Sequence, residues 1–352
     1  MITNQGIFTG VGRAADETFR VLRPYFPNLS LYSFNYIAQR SLKGSIPISK
    51  YSTHNLLKAP FVNWKNVKSI KKYEIFKNSN LHIIGTDYSL TKVAKNSIIL
   101  AHELYYVINQ IFKANSFKEM IKEMGFNYSE YLLSRYIKDA KIVMAPSKFS
   151  ANQIEQKTGI KPIVAYYSVD TKKFTLRNKY KARKALNLPL NKKILLNVAG
   201  GGSNKNLTTL SEISNLLDES YVLVKANAPI NGKRCLNLGL VAEEDYPLLF
   251  NAADLYLHTS TMEGFGFPLL ESIASGLPVV SSRTSTAPEI LSSCGNYIDN
   301  PYNAPAYIQK IVEILDSTII SEYEANSYER SRYFSDEQFA NILVDTYEKT
   351  FT

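Results

Sequence analysis

Cysteine and histidine are scarce in this 352-residue chain, with Cys235 and Cys294 as the two thiols and only four histidines. Two cysteines are too few for a disulfide scaffold, and neither residue type is spaced as metal ligands are, so no protein-held metal site is expected. No uninterrupted apolar stretch reaches the roughly 18 to 20 residues that span a bilayer. The opening Met-Ile-Thr-Asn-Gln-Gly lacks the basic start and apolar core of a secretory signal, so the expected location is cytoplasmic. Internal repeats and low-complexity tracts are absent too. What remains, 45% hydrophobic and 20% charged residues, is the balance of a globular protein long enough for two domains.

Acidic residues are short in one half only. Residues 1–180 carry 27 Lys and Arg against 11 Asp and Glu, a net +16, whereas 181–352 carry 14 against 20, a net −6. Such asymmetry points to an anionic partner for the first half: a membrane surface, nucleic acid or a phosphorylated acceptor. The competing reading is that clusters such as Lys68, Lys71 and Lys72, or Lys172, Lys173 and Lys179, are solvated surface.

The second half alternates strand and helix signals. Strands are predicted at 193–198, 221–225, 236–241 and 254–259, and helices near 206–219 and 244–252. The first half has strand candidates at 29–34, 81–84, 97–101, 141–145 and 162–167, with helices at 12–23, 129–139 and 148–158. A capping-box pair, Ser335 and Gln338, starts a last helix near Asp336. The class is α/β, with two doubly wound Rossmann-like domains.

The densest chemistry lies at Thr261–Glu289. Pro268 opens a helical run that Gly276 closes, so Gly264 and Gly266 sit in a loop between an apolar strand and a helix N-terminus. Glycines there admit a phosphate close to free backbone amides at the positive end of the helix dipole. Glu263 before the loop and Glu271 within the first turn or so of the helix could accept hydrogen bonds from hydroxyls. A sugar or ribose joined to a phosphate fits that pattern; an acid that merely complements the dipole, beside a packed Gly-Phe-Gly-Phe turn, is the plainer alternative.

Glu263-Gly-Phe-Gly-Phe-Pro-Leu-Leu-Glu271, followed by Ala274–Val280 and Pro288-Glu289, resembles the nucleotide-sugar signature of glycosyltransferase family four. The resemblance implies retaining enzymes of the GT-B fold, two Rossmann-like domains facing a cleft. It implies an acceptor-side domain over 1–172, a nucleotide-sugar domain over 173–335, and a helix at 336–352 crossing back to the first. The implied partners are a nucleotide-diphosphate-sugar donor as co-substrate and an acceptor the sequence does not identify. Cofactors are none and no metal is required; peripheral contact with anionic membrane suits the basic half better than nucleic acid.

By the same resemblance, Glu271 holds the ribose hydroxyls, Glu263 the sugar hydroxyls, and the amides of Gly264, Phe265, Gly266 and Phe267 the sugar and phosphate. Lys205 stabilises the leaving diphosphate, helped by Gly201 and Gly202 in the turn after the second domain's first strand. His102, at the end of Ile98–Ala101, orients the sugar, and Gly12 with Arg13 lines the phosphate and acceptor side. One departure is plain. The family pairs an arginine with this lysine, and here the arginine's position falls on Gly200, with Lys225 or the glycine amides as stand-ins. That gap keeps open a weakly catalytic binding protein on a transferase scaffold, and the fold alone leaves open an epimerase or hydrolase.

Overall fold

A computed structural model describes residues 2–3, 10–29, 32–33, 46–47, 83–85, 97–101, 134–135, 137–316 and 320–351. The chain divides into two compact units: Met1–Tyr167 with Asp336–Thr352, and Ser168–Ser335.

In the first unit, seven short strands form one parallel sheet. They are β1 (Ile2–Thr3), β2 (Tyr32–Ser33), β3 (Ile46–Pro47), β4 (Ile83–Gly85), β5 (Ser97–Leu100), β6 (Ile142–Ala145) and β7 (Ile163–Val164), in the order β3-β2-β1-β4-β5-β6-β7. Every pairing is parallel. Helix α1 (Gly10–Leu22) begins two residues before the expected start, which puts Gly12 and Arg13 in its first turn. Helix α2 (Lys148–Thr158) has the expected bounds because both ends are capped: Ser147 Oγ accepts from the Ser150 amide, and Gly159 takes φ +74°. Of the helix expected at 129–139, residues 134–135 are helical and Ile137–Asp139 is a 3-10 turn; 129–133 and 136 fall outside the described residues.

The second unit is a six-stranded parallel sheet. Its strands are β8 (Lys193–Asn197), β9 (Tyr221–Ala226), β10 (Cys235–Gly239), β11 (Leu255–His258), β12 (Val279–Ser282) and β13 (Gly295–Ile298), ordered β10-β9-β8-β11-β12-β13. The order reverses between β8 and β11, the switch point at which open α/β sheets bind ligands beyond the strand C-termini. Helices α3 (Lys179–Ala185), α4 (Leu207–Leu216), α5 (Tyr246–Ala252), α6 (Phe267–Ala274), α7 (Ala287–Leu291), α8 (Ala304–Leu315) and α9 (Ile320–Arg332) complete the unit.

Side chains of a strand alternate between faces, and both faces here are apolar, as a sheet covered on two sides requires. On one face Leu195, Leu223, Leu255, Leu257 and Val280 pack with Leu210 and Ile213 of α4 and Tyr307 and Ile311 of α8. On the other, Tyr256 stacks on Phe250 of α5 with ring centroids 5.9 Å apart. The last helix, α10 (Asp336–Phe351), belongs to the first unit. Arg20 of α1 holds Asp336 through two bonds of 2.5 and 2.6 Å, and Phe339 and Tyr347 meet Tyr167 and Phe26 edge-on.

Candidate active site

The residues after β8 and after β11 meet at the switch point. After β8 comes the exposed turn Gly200-Gly201-Gly202, then a 3-10 turn, Ser203–Lys205. Asn206 follows at φ +51° and caps α4. The resembled family has glycine at this place, and asparagine is the residue that best tolerates a left-handed backbone after glycine. Its side chain adds bonds glycine lacks, from Nδ2 to the Pro301 carbonyl at 2.7 Å and from the Thr209 hydroxyl to Oδ1 at 2.9 Å.

Three contacts tie this segment to the loop after β11. The Thr261 amide donates to the Asn204 carbonyl at 2.8 Å, Asn204 Nδ2 to the Met262 carbonyl at 2.8 Å, and the Thr259 hydroxyl to the Lys205 carbonyl at 3.0 Å. They hold Lys205 against Glu263: Nζ lies 2.7 Å from Oε1 and 2.8 Å from Oε2. Sequence distance between the two is 58 residues, yet they form a single ion pair.

Burial works to raise the Glu263 carboxyl, but Lys205, His258 and Ser260 outweigh it and hold it below the usual carboxylate range. His258, at the end of β11, is buried, and burial pushes its imidazole down to about 4, so it is neutral at pH 7. The loop after β12 supports the acid from the other side. Ser285, at φ +47°, accepts from the Glu263 amide at 3.0 Å; the hydroxyls of Ser282 and Thr284 both donate to the Ser260 carbonyl.

The Gly-Phe-Gly-Phe loop, 264–267, is buried throughout. Phe265 and Phe267 are buried, 5.1 Å apart edge-to-face, and Phe265 also meets Phe334. Gly266 takes φ +92°, which turns the chain into α6. The helix begins at Phe267, so Glu271 falls in its second turn, not the first as expected, and only 1% of it is exposed. The Tyr246 hydroxyl of α5 donates to its Oε2 at 3.1 Å.

The structure therefore brings together Lys205, Glu263, Glu271, Gly201, Gly202 and Gly264–Phe267 within one unit. Gly12 and Arg13 lie in the other unit, and His102 lies outside the described residues. Two participants escaped the sequence reading: His258 ends an apolar strand and Tyr246 opens an apolar run, and both read there as core. Among the described residues, no group of three His, Cys, Asp or Glu could hold a metal ion, and no helix is long and apolar enough to cross a membrane.

Residues 147–332 match the family described as Glycosyl transferases group 1, which is more than half of the chain. The chain belongs to that family. Over 112 residues it is 32% identical to O-antigen chain mannosyltransferase B of Escherichia coli, covering 32% of this chain and 29% of that protein. Over 135 residues it is 26% identical to the serotype-specific mannosyltransferase WbdA of Escherichia coli, covering 38% and 16%. The chain thus matches less than a third of the length of these curated relatives. Among solved structures it is similar to HepE of Anabaena, solved in complex with UDP and glucose, with TM-score 0.73 and 16% identity over 99% of this chain and 98% of that one. It is also similar to sucrose-phosphate synthase of Thermosynechococcus elongatus, with TM-score 0.76, 16% identity and the same coverage. The fold is GT-B, with two Rossmann-like domains.

Proposed function

We propose that the protein is a retaining glycosyltransferase of family four that moves a mannosyl residue from a nucleotide-diphosphate donor to an acceptor hydroxyl. The observation that carries this reading is the meeting of Lys205 and Glu263 in the loops after β8 and β11, at the C-terminal edge of a parallel sheet. A cation there suits a diphosphate, and a carboxylate held ionised suits the hydroxyls of the attached sugar. Mannose is proposed because both Escherichia coli relatives are mannosyltransferases.

In the reaction, the bond from the sugar's anomeric carbon to the diphosphate breaks and a bond to the acceptor oxygen forms on the same face. The acceptor's proton passes to the departing phosphate oxygen. Lys205 leaves Glu263 and neutralises charge gathering on the diphosphate; the freed oxygens of Glu263 take the sugar hydroxyls. Glu271 takes the ribose, the Gly264–Phe267 backbone the sugar and phosphate, and His102, Gly12 and Arg13 the sugar and acceptor side. The charge Lys205 supplies is the basis for proposing transfer without a divalent ion, so rates should be equal with and without a chelator. The +16 first half is proposed to face an acceptor at an anionic membrane surface.

Incubation with GDP-mannose and with UDP-glucose, followed by proton NMR of the product, tests the reading. Acceptor-dependent transfer with the donor's anomeric configuration kept is expected; inversion, or free sugar or an epimer formed without acceptor, overturns it. Glu271→Ala is expected to weaken donor binding at least about tenfold, the loss of a charge-assisted bond. Lys205→Ala should instead lower kcat, and unchanged kinetics in both variants would refute the site.

A further inference from the structure

Lys225 is a lysine with 1% of its surface exposed. It is the penultimate residue of β9, in register with Asn197 of β8, and continues the row of Tyr221 and Leu223 along the face that α4 covers. Among the described residues no carboxylate pairs with it. Its ammonium instead donates to the Ala199 carbonyl at 2.5 Å and to the Ala226 carbonyl at 2.6 Å. An ammonium has three donors, so one remains. Burial lowers its pKa to about 8, which still leaves it cationic at neutral pH.

An unpaired buried cation is costly to keep, and it is placed where its charge has a use. Ala199 is the residue just before the triple-glycine turn. In a trans peptide the C=O and the following N–H point in opposite directions, so drawing the Ala199 carbonyl toward Lys225 turns the Gly200 amide the other way. Asn227 fixes the preceding peptide by donating to the Val198 carbonyl at 2.7 Å. The amides of Gly200, Gly201 and Gly202 donate to no acceptor among the described residues, and all three glycines are exposed. The Gly200 amide, turned away from an ammonium in an exposed glycine turn, is a donor placed for an anion.

We propose that Lys225 is the second cation of the donor site, supplying behind the Gly200–Gly202 turn the charge that an arginine at position 200 supplies in the resembled family. It acts as a positioning residue: it aims the Gly200 amide and adds positive potential to the place where the donor's diphosphate lies beside Lys205. The inference rests on the donor-binding reading given above. One further observation makes it testable by exchange: a Cβ built at Gly200 meets nothing within 4 Å, so a side chain can leave the backbone there without a clash.

The test measures Kd for UDP and GDP, and for uridine and guanosine, by calorimetry on the full chain. If the wild type binds neither diphosphate, the donor reading fails and takes this inference with it. Otherwise Lys225→Met is expected to weaken the preferred diphosphate about tenfold while leaving the nucleoside unchanged. Gly200→Arg in the Lys225→Met background should restore the loss. Equal diphosphate affinity in wild type and Lys225→Met, or equal losses for diphosphate and nucleoside, would overturn the role of Lys225 alone. Should Lys225→Met fail to fold, Gly200→Arg by itself decides: with Lys225 already supplying the charge it gains less than about threefold, and a gain of about tenfold or more shows the place was vacant.

Discussion

Lys205 and Glu263 face each other before any donor arrives, each the other's partner at 23% and 14% exposure. Removing one member of so enclosed a pair leaves a buried charge uncompensated, so Lys205→Met should cost roughly 1–3 kcal/mol at pH 7. Adding Glu263→Gln should recover most of that. Because the folded Glu263 carboxyl is held below its ordinary value of 4.5, its contribution is present above that pH and lost as pH falls through the folded value. The gap in Tm between wild type and Lys205→Met should therefore narrow as pH falls below 4.5; a gap that widens under acid would refute the pairing. His258 titrates in the same sense through the opposite charge. It is neutral when folded down to about pH 4, but the unfolded chain protonates it below 6.5. Stability therefore falls as pH drops from 6.5 to 4, by on the order of 3 kcal/mol, and His258→Gln should flatten that limb in pH-dependent thermal unfolding. The carboxylates and Lys205 were legible because glycine and proline punctuate the chain around them. His258 was not, since one imidazole in an apolar strand looks like core until its neighbours across the sheet are known.

Helix α6 shows how backbone geometry fixes where such side chains go. Gly266 starts it at φ +92°, and a Cβ there would stand 3.2 Å from Leu269 Cδ1 and 3.7 Å from Thr286 Oγ1. Gly266→Ala is thus expected to cost about 1–3 kcal/mol and to displace the start of the helix. Chemical denaturation reads the first effect and donor affinity the second; wild-type values for both would show the conformation is not required. The helix itself was readable from Pro268 and Gly276, but its first residue was not, because Phe267 is helical ahead of the proline and moves Glu271 into the second turn. Elsewhere four of the second unit's six strands were found to within two residues, since runs such as Lys193–Asn197 and Leu255–His258 are apolar on both faces, while Val279–Ser282 and Gly295–Ile298 were not among the strands expected. The first unit's strands were harder to bound: Ile2–Thr3, Tyr32–Ser33 and Ile46–Pro47 are two residues each, too short for any periodicity to declare itself.

At the scale of the molecule, the second unit is one contiguous segment, 168–335, with its own apolar core. Expressed alone it should unfold cooperatively with a Tm of its own; a gradual, non-cooperative loss of structure would contradict this. The first unit is different, because Phe339, Leu343 and Tyr347 of α10 belong to it. Ending the chain at Ser335 removes the Arg20–Asp336 pair and two aromatic contacts, and should lower the first unit's Tm while leaving the second unit's transition in place. The charge division that composition revealed, +16 against −6 about residue 180, falls close to the boundary between units at 167 and 168. Counted over the units themselves the division softens to +10 against 0, because Lys172, Lys173, Arg177 and Lys179 belong to the second unit and the acidic α10 to the first.

The return of α10 to the first unit also sets an order in time. A ribosome delivers residues 1–167 first, yet the sheet they form waits for a helix encoded after the whole of 168–335. The unit that emerges second is the one that can finish first. In a released chain ending at Ser335, the second unit should resist protease while the first is still cut.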